Sequence, residues 1–350
     1  MKKTVLIIAP YQFGELSDCY YWAKYAKDDY NIVYFGYRQP NSKITQMQMD
    51  GVKIWQPTKF KSVKLFGIFF YLRIILYIIM HKIKNVIICN MPKAEILVKL
   101  FKHRNIILDI RTMSVDSSAQ IRKHADDCTR TRARQFRRVS AISKGVINSL
   151  HLSSCNLLPL GAEELSNTNK VFDKLRLMYI GTLNGRKLDV FLEGLLLYKQ
   201  KYSQIFTFDI IGTGDEETTK QISCVAKKIG EEVVIHGYKN HQESKPFFDS
   251  CNVGVCFVPM TPYFEHQPAT KLYEYTLSGM AVVATNTYAI KHDFCEKFGV
   301  LTNDNAESVC EALYRLSQIM NTFQSNEIVK ASQSFHWKYI VNDCFKPLFQ

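Results

Sequence analysis

Short apolar runs recur along the chain with helix-length segments between them. Residues 5–9, 32–36, 86–89 and 106–110 are such runs, and residues 18–27 carry an aromatic-rich helical pattern. A second series begins near Leu175. Residues 177–180, 206–211, 232–236, 253–258 and 281–285 read as strands, and residues 189–198 as a long amphipathic helix. Continuous apolar runs mark strands buried on both faces, and their alternation with helices marks a parallel sheet. The pattern therefore predicts an α/β chain of two Rossmann-like, doubly wound domains facing a cleft. The polar stretch 159–174, with Asn167, Thr168 and Asn169, reads as the connection between them.

Open α/β sheets bind ligands beyond the carboxyl ends of their strands. That directs attention to the loops at residues 10–15, 109–116, 181–187, 212–215 and 259–270. In the last of these, Pro268 suits the first turn of a helix, and Leu272, Tyr275 and Thr276 recur with helical spacing. Gly279 suits its end, and a β-branched strand follows at once. A helix starting there would offer its first N–H groups to an anion such as a diphosphate. Glu274, further along, could accept from a ribose diol. The same residues also fit an ordinary β-α-β unit in which Glu274 is incidental.

With 350 residues and 47% hydrophobic content, the chain has material for two cores, which excludes disorder. Its ten cysteines are scattered without a CxxC pair, so reduced and mostly buried thiols are expected rather than a disulfide framework. The apolar start at residues 5–9 is too short for a signal-peptide core and is followed by Pro10, so a cytoplasmic active face is expected.

Charge changes the picture of the first half. Residues 1–150 hold 26 Lys and Arg against 10 Asp and Glu, whereas residues 151–350 are slightly acidic. The first half is therefore expected to meet an anionic partner. Residues 59–84 combine a long apolar stretch with flanking Lys59, Lys61, Lys64, His81, Lys82 and Lys84. The stretch is short of a spanning helix and has Arg73 near its middle. Arg73, Tyr77, His81 and Lys84 share a face by helical spacing, which suits a helix lying in the headgroup region. Packing into the first domain's core is the equal alternative. A second basic cluster includes Arg122, Lys123, Arg130, Arg132, Arg134, Arg137 and Arg138. Arg130, Arg134 and Arg137 are expected on one helical face, with Asp126 and Asp127 placed to pair with some of them.

The pattern Pro268-x-x-Lys271-x-x-Glu274-Tyr275-x-x-x-Gly279-x-Ala281-Val282-Val283-Ala284-Thr285 resembles the donor-site signature of family 4 glycosyltransferases of the GT-B fold, closest to the branch that assembles bacterial surface polysaccharides such as O-antigen and capsule. Residues 179–187, 209–216, 141–144 and 158–161 resemble further segments of that family. Residues 335–349 resemble its terminal helix, which crosses back to the first domain. The implied division is an acceptor-side domain over 1–160, a nucleotide-sugar domain over 161–332 and the crossing helix over 333–350. Residues 1–140 match in pattern only, apart from residues 107–111.

Carried over position by position, the resemblance implies that Arg186 and Lys187 neutralise the donor diphosphate, helped by the amides of Ala269 and Thr270 and by Lys271. It implies that Glu274 holds the ribose, that Gly14 and Gly212 let their loops approach the donor, and that Asp109 and Arg111 are catalytic residues on the acceptor side. Where the family often has a first Glu, this chain has His266 with Glu265 beside it, and Thr182 stands where the family often has Arg. The implied activity is retaining transfer of a sugar from a nucleotide-sugar donor to a glycan acceptor, expected to be lipid-linked. No metal or other cofactor is expected, because fixed cations and helix-end amides can meet the charge that grows on the leaving diphosphate. The expected location is cytoplasmic, peripheral to the inner face of the plasma membrane, with no nucleic-acid partner. The alternatives are a nucleotide-sugar epimerase of the same fold, which would have no use for residues 59–84, and a catalytically silent membrane- or nucleic-acid-binding protein. Sugar transfer by the purified protein would exclude both.

Overall fold

The computed structural model describes residues 2–42, 45–116 and 118–350. It divides into two compact units. One comprises residues 1–160 with 337–350, the other residues 161–336.

The first unit is a seven-stranded parallel sheet. Its strands are β1 (Thr4–Ile8), β2 (Asn31–Phe35), β3 (Val52–Trp55), β4 (Asn85–Cys89), β5 (Asn105–Ile110), β6 (Arg138–Ala141) and β7 (Cys155–Leu157), in the order β3-β2-β1-β4-β5-β6-β7. The helices are α1 (Ser17–Ala26), α2 (Val63–Met80), α3 (Glu95–Leu100), α4 (Ala119–Ala133) and α5 (Lys144–Ser149). The centre of the sheet is built from the apolar runs: Val5 to Ile8, Val86 to Ile88 and Ile107 to Leu108 are wholly buried. Strands β3, β6 and β7 lack such runs. β3 and β7 lie at the two edges, where one side of the strand has no neighbour to demand apolar residues. β6 is a short strand that carries Arg138 and the buried polar Ser140.

Of the two readings of residues 59–84, packing into the first unit holds for one side of α2, and its other side is exposed. Phe66, Phe70, Tyr71, Ile74 and Ile78 are buried. Phe70 stacks on Trp55 at 5.7 Å between ring centres and meets Tyr37 edge-on at 5.4 Å. On the other side Val63, Leu65, Ile68, Leu72, Ile79 and Met80 are each more than half exposed. By length and composition it is the one helix among the described residues apolar enough to cross a membrane, but a whole side of it is taken up by the sheet. The shared polar face holds only in part. Arg73 is exposed and lies 5.8 Å from the Trp55 ring, while Tyr77 packs on Phe35 at 5.0 Å, and Lys84 lies past the helix end.

The basic cluster is likewise redistributed. α4 ends at Ala133 and Arg134 is its C-cap, so Arg137 does not share a helical face with Arg130 and Arg134. Arg130 pairs with Asp127 at 2.8 Å, and Arg132 approaches Glu95 at 3.4 Å. The closing segment is not one helix. It runs as an α-helical turn (Trp337–Ile340), a π-helical turn (Val341–Phe345) and a 3-10 turn (Lys346–Phe349), the last around Pro347, which has no N–H to continue an α-helix. Trp337 stacks on Tyr21 and Phe345 on Trp22, which fastens this segment to α1 of the first unit.

The second unit is a six-stranded parallel sheet. It contains β8 (Leu175–Ile180), β9 (Phe206–Ile211), β10 (Val233–Gly237), β11 (Val253–Cys256), β12 (Ala281–Thr285) and β13 (Gly299–Thr302), in the order β10-β9-β8-β11-β12-β13. Its helices are α6 (Leu188–Tyr202), α7 (Glu216–Ile229), α8 (His241–Ser250), α9 (Thr270–Leu277), α10 (Tyr288–Asp293), α11 (Ala306–Ile319) and α12 (Ser325–Ser332). α9 begins at Thr270, so Pro268 stands just ahead of the helix rather than in its first turn. Gly254 in β11 is required by packing: a Cβ there would enter the ring of Tyr275 on α9. All ten cysteines are free thiols, five of them buried.

Candidate functional site

In the second unit, the switch in strand order lies between β8 and β11, which places the loops after these two strands side by side at the carboxyl edge. After β8 the chain turns through Gly181, and after β9 through Gly212, whose φ of +152° favours glycine. A Cβ on Gly212 would also collide with the carbonyl of Gly181. The two loops are tied further by Asn184, which accepts from the amide of Asp215 at 2.7 Å.

The helices that follow the six strands divide into two kinds. α7, α8, α10 and α11 are capped by side chains of Asp215, Asn240, Thr287 and Asn305. α6 and α9 have no side-chain cap, and their N-caps are Lys187 and Ala269. The first amides of a helix have no intrahelical acceptor, so these two ends keep donors for an outside group, with the positive ends of their dipoles behind them.

Charged side chains gather at the same edge. Cys256, which ends β11, is wholly buried. That burial pushes its thiol up to about 12, and Lys271, Arg186 and Glu274 all act on it electrostatically. All three belong to the segments that follow β8 and β11. Lys271 binds Glu274 at 2.5 Å, and its Cε lies about 4.0 Å from where a Gly181 side chain would begin. The Arg186 guanidinium lies over the Phe264 ring at 4.9 Å. Lys187, in a left-handed conformation with φ of +51°, pairs with Asp304 at 3.3 Å. His266 meets the Tyr288 ring edge-on at 5.2 Å, and Glu265 accepts from the Tyr288 amide at 2.9 Å. Thr182 offers its carbonyl to the Tyr179 hydroxyl at 2.6 Å.

The sequence-derived donor residues Arg186, Lys187, Gly212, His266, Ala269, Thr270, Lys271 and Glu274 thus all belong to the carboxyl edge of one sheet. Asp304, Phe264 and Asn184 join them without having been singled out from sequence. Asp304 follows β13, a strand with no apolar run long enough to announce it. Among the described residues no group of three or more His, Cys, Asp or Glu is placed to hold a metal ion.

Gly14, Asp109 and Arg111 belong to the first unit. Gly14 has φ of +89°, and a side chain there would meet Met47. Asp109 is wholly buried at the end of β5 and accepts from the Ser140 hydroxyl at 2.7 Å. Burial pushes its carboxyl up to about 6, against the opposing pull of Arg111 and the Ser140 hydrogen bond. Arg111, with a side chain only 9% exposed, binds Asp18, lies 3.6 Å from Asp109 and donates to the Leu158 carbonyl at 2.6 Å. It therefore ties α1, β5 and the end of this unit's main segment together. Neither Asp109 nor Arg111 presents an exposed reacting atom in this structure.

Residues 174–318 match the family model described as glycosyl transferases group 1. The second unit thus carries a group 1 glycosyltransferase domain, and by class the chain is a glycosyltransferase. A sucrose-phosphate synthase from Thermosynechococcus elongatus is similar in structure, with a TM-score of 0.75 and 14% identity over 99% of this chain and 98% of that one. So is Anabaena HepE, solved in complex with UDP, with a TM-score of 0.74 and 13% identity over 99% of both chains. A lipopolysaccharide outer core galactosyltransferase, WaaB, solved in its apo form, gives 0.65 and 12% over 99% and 98%. At such identities the likeness is one of fold: two parallel α/β sheets of the GT-B type. No curated protein sequence matches the chain.

Proposed function

We propose that this glycosyltransferase takes its sugar from a nucleoside-diphosphate donor held at the carboxyl edge of the second sheet. The observation that carries the reading is the pair of uncapped helix ends, α6 and α9, beside Arg186 and Lys271. Two sets of amide donors and two fixed cations suit the two phosphates of such a donor. Glu274 then releases Lys271 to the phosphates and accepts from the ribose diol. HepE, solved with UDP, supports the donor class.

On this reading the bond between the anomeric carbon and the diphosphate oxygen breaks while the bond to an acceptor hydroxyl forms. The negative charge that grows on the departing diphosphate is met by Arg186, Lys187, Lys271 and the amides of Ala269 and Thr270. The acceptor's proton passes to a phosphate oxygen of the leaving group. The family resemblance supports retention of configuration, with the charge met without a metal ion.

The proposed acceptor is a lipid-linked glycan in bacterial surface-polysaccharide assembly, and the protein acts at the inner face of the plasma membrane. Its support is α2, whose exposed apolar side is bracketed by Lys59, Lys61 and Lys64 at one end and His81, Lys82 and Lys84 at the other. An apolar strip between two basic ends is complementary to an anionic bilayer surface. The experiment that tests the donor reading is a panel of nucleotide sugars scored for thermal stabilisation and then for transfer to lipid-extract acceptors. Stabilisation by none of them would refute it.

A further inference from the structure

We propose that the first unit has a second anion site, remote from its carboxyl-edge loops, which holds the phosphate of an anionic lipid headgroup. The site is an open cavity of about 770 Å³ at the amino ends of β1, β4, β5 and β6. Lys82 and Lys84 line it from the turn between α2 and β4. Lys102 and Arg104 line it from the turn before β5, and Arg137 and Arg138 from the turn into β6, with Lys3 at the start of β1. Among the described residues no Asp or Glu side chain lines it. Among the described residues none of these seven cations has a carboxylate partner, although acids elsewhere in this unit pair with Arg111, Arg130 and Arg132.

Seven like charges around one recess repel one another unless an anion is present to offset them. Three of them are held in place by neutral acceptors, which leaves their charge uncompensated; one is Lys3, which donates to the Phe349 carbonyl at 3.2 Å. Arg104 donates to the Lys82 carbonyl at 3.2 Å, and Arg138 donates to Asn105 Oδ1 at 2.8 Å and the Leu348 carbonyl at 2.9 Å. Guanidinium forks held in place among ammonium groups suit a phosphate group.

The source of the phosphate follows from what adjoins the cavity. Ile79 and Met80, 55% and 73% exposed, end the apolar side of α2, and His81 and Lys82, next in the chain, already line the cavity. An apolar strip running into a basic recess matches an amphiphile with acyl chains along α2 and a phosphate in the recess. The cavity lies at the opposite strand ends from Gly14 and Asp109, roughly 17 Å away along the sheet. The site therefore fixes the protein on the bilayer without occupying the loops assigned to the reaction. This inference rests on the reading of α2 as a membrane contact, and the test separates the two.

The test is co-sedimentation with vesicles of phosphatidylcholine alone and of phosphatidylcholine with phosphatidylglycerol. The variants are Lys102→Ala/Arg137→Ala in the cavity and Lys123→Ala/Arg134→Ala outside it. The cavity pair is expected to lose about tenfold or more of the affinity for anionic vesicles. It should bind neutral vesicles as the parent does and keep its thermal stability, and the outer pair should retain the parent's binding. Parental binding by the cavity pair, or an equal loss in the outer pair, overturns the site whatever α2 does. If the parent ignores neutral vesicles but binds anionic ones through Lys102 and Arg137, the apolar-face reading fails and the site stands. Pyrophosphate binding that depends on the cavity pair, with no vesicle binding at all, overturns the lipid source.

Discussion

Lys187 and Asp304 are ion-paired at 3.3 Å between the loops that follow β8 and β13, and Asp304 also accepts from the amide of Met260 at 3.0 Å. The cation assigned to the donor diphosphate is therefore engaged by a carboxylate. Lys187 is 52% exposed, and a pair so placed is worth about 1 kcal/mol at most. A doubly charged diphosphate can displace it. Replacing Asp304 with Asn keeps an acceptor for Met260 and removes the competing charge. The nucleoside diphosphate is expected to bind about two- to fivefold more tightly to Asp304→Asn, as read by calorimetry. Weaker binding would place Asp304 among the residues that help hold the donor.

Glu274 is paired with Lys271 and is 19% exposed. If it accepts from the donor's ribose, Glu274→Ala loses hydrogen bonds made by a charged acceptor. Donor affinity and turnover are then expected to fall by about ten- to a hundredfold. Steady-state kinetics with the accepted nucleotide sugar provides the measurement, and unchanged turnover would remove Glu274 from the site.

The two sides of α2 should separate folding from membrane contact. Ile74 is wholly buried, and Ile74→Ala is expected to cost about 2–5 kcal/mol of stability. Ile68→Ser/Leu72→Ser alters residues that are 56% and 51% exposed. The melting temperature should barely move, while sedimentation with neutral vesicles falls markedly. A double variant that melts early but still sediments would reverse the assignment of the two sides.

Asp109 gives a pH signature with a definite sign. Burial raises its carboxyl to about 6, above the ~3.9 of an unfolded chain. A raised acid contributes stability fully below pH ~4 and loses it as pH rises through ~6. Asp109→Asn cannot titrate. Its stability relative to the parent is therefore expected to improve between pH 4 and 6.5, by up to about 3 kcal/mol. Urea unfolding across that range measures it, and a pH-independent difference would show that Asp109 is ionised throughout.

The strands at the centre of both sheets were legible in the sequence because a strand buried on both faces must be apolar along its length. β9 and β12 have the bounds that their apolar runs suggest. Strands β3, β7 and β13 were not legible, since each is only three or four residues long and carries no continuous apolar run. Asp304 was missed with β13. Its part in the site depends on where that strand ends, not on any local motif.

The chain's own pattern determined two α/β halves, a turn-and-helix suited to phosphate after β11, and a basic, apolar segment in the first half. These are local properties, set by hydrophobic periodicity, glycine and charge at short range. Which cations are free and which are held was decided only by tertiary structure. Arg130 found Asp127, Arg111 was buried between Asp18 and Asp109, and Lys187 met Asp304. Lys82, Lys84, Lys102 and Arg137, distant in sequence, came together with no acid among them. Parallel strands explain this. They bring residues from the starts of several strands to one edge, across sequence separations that no local pattern can register.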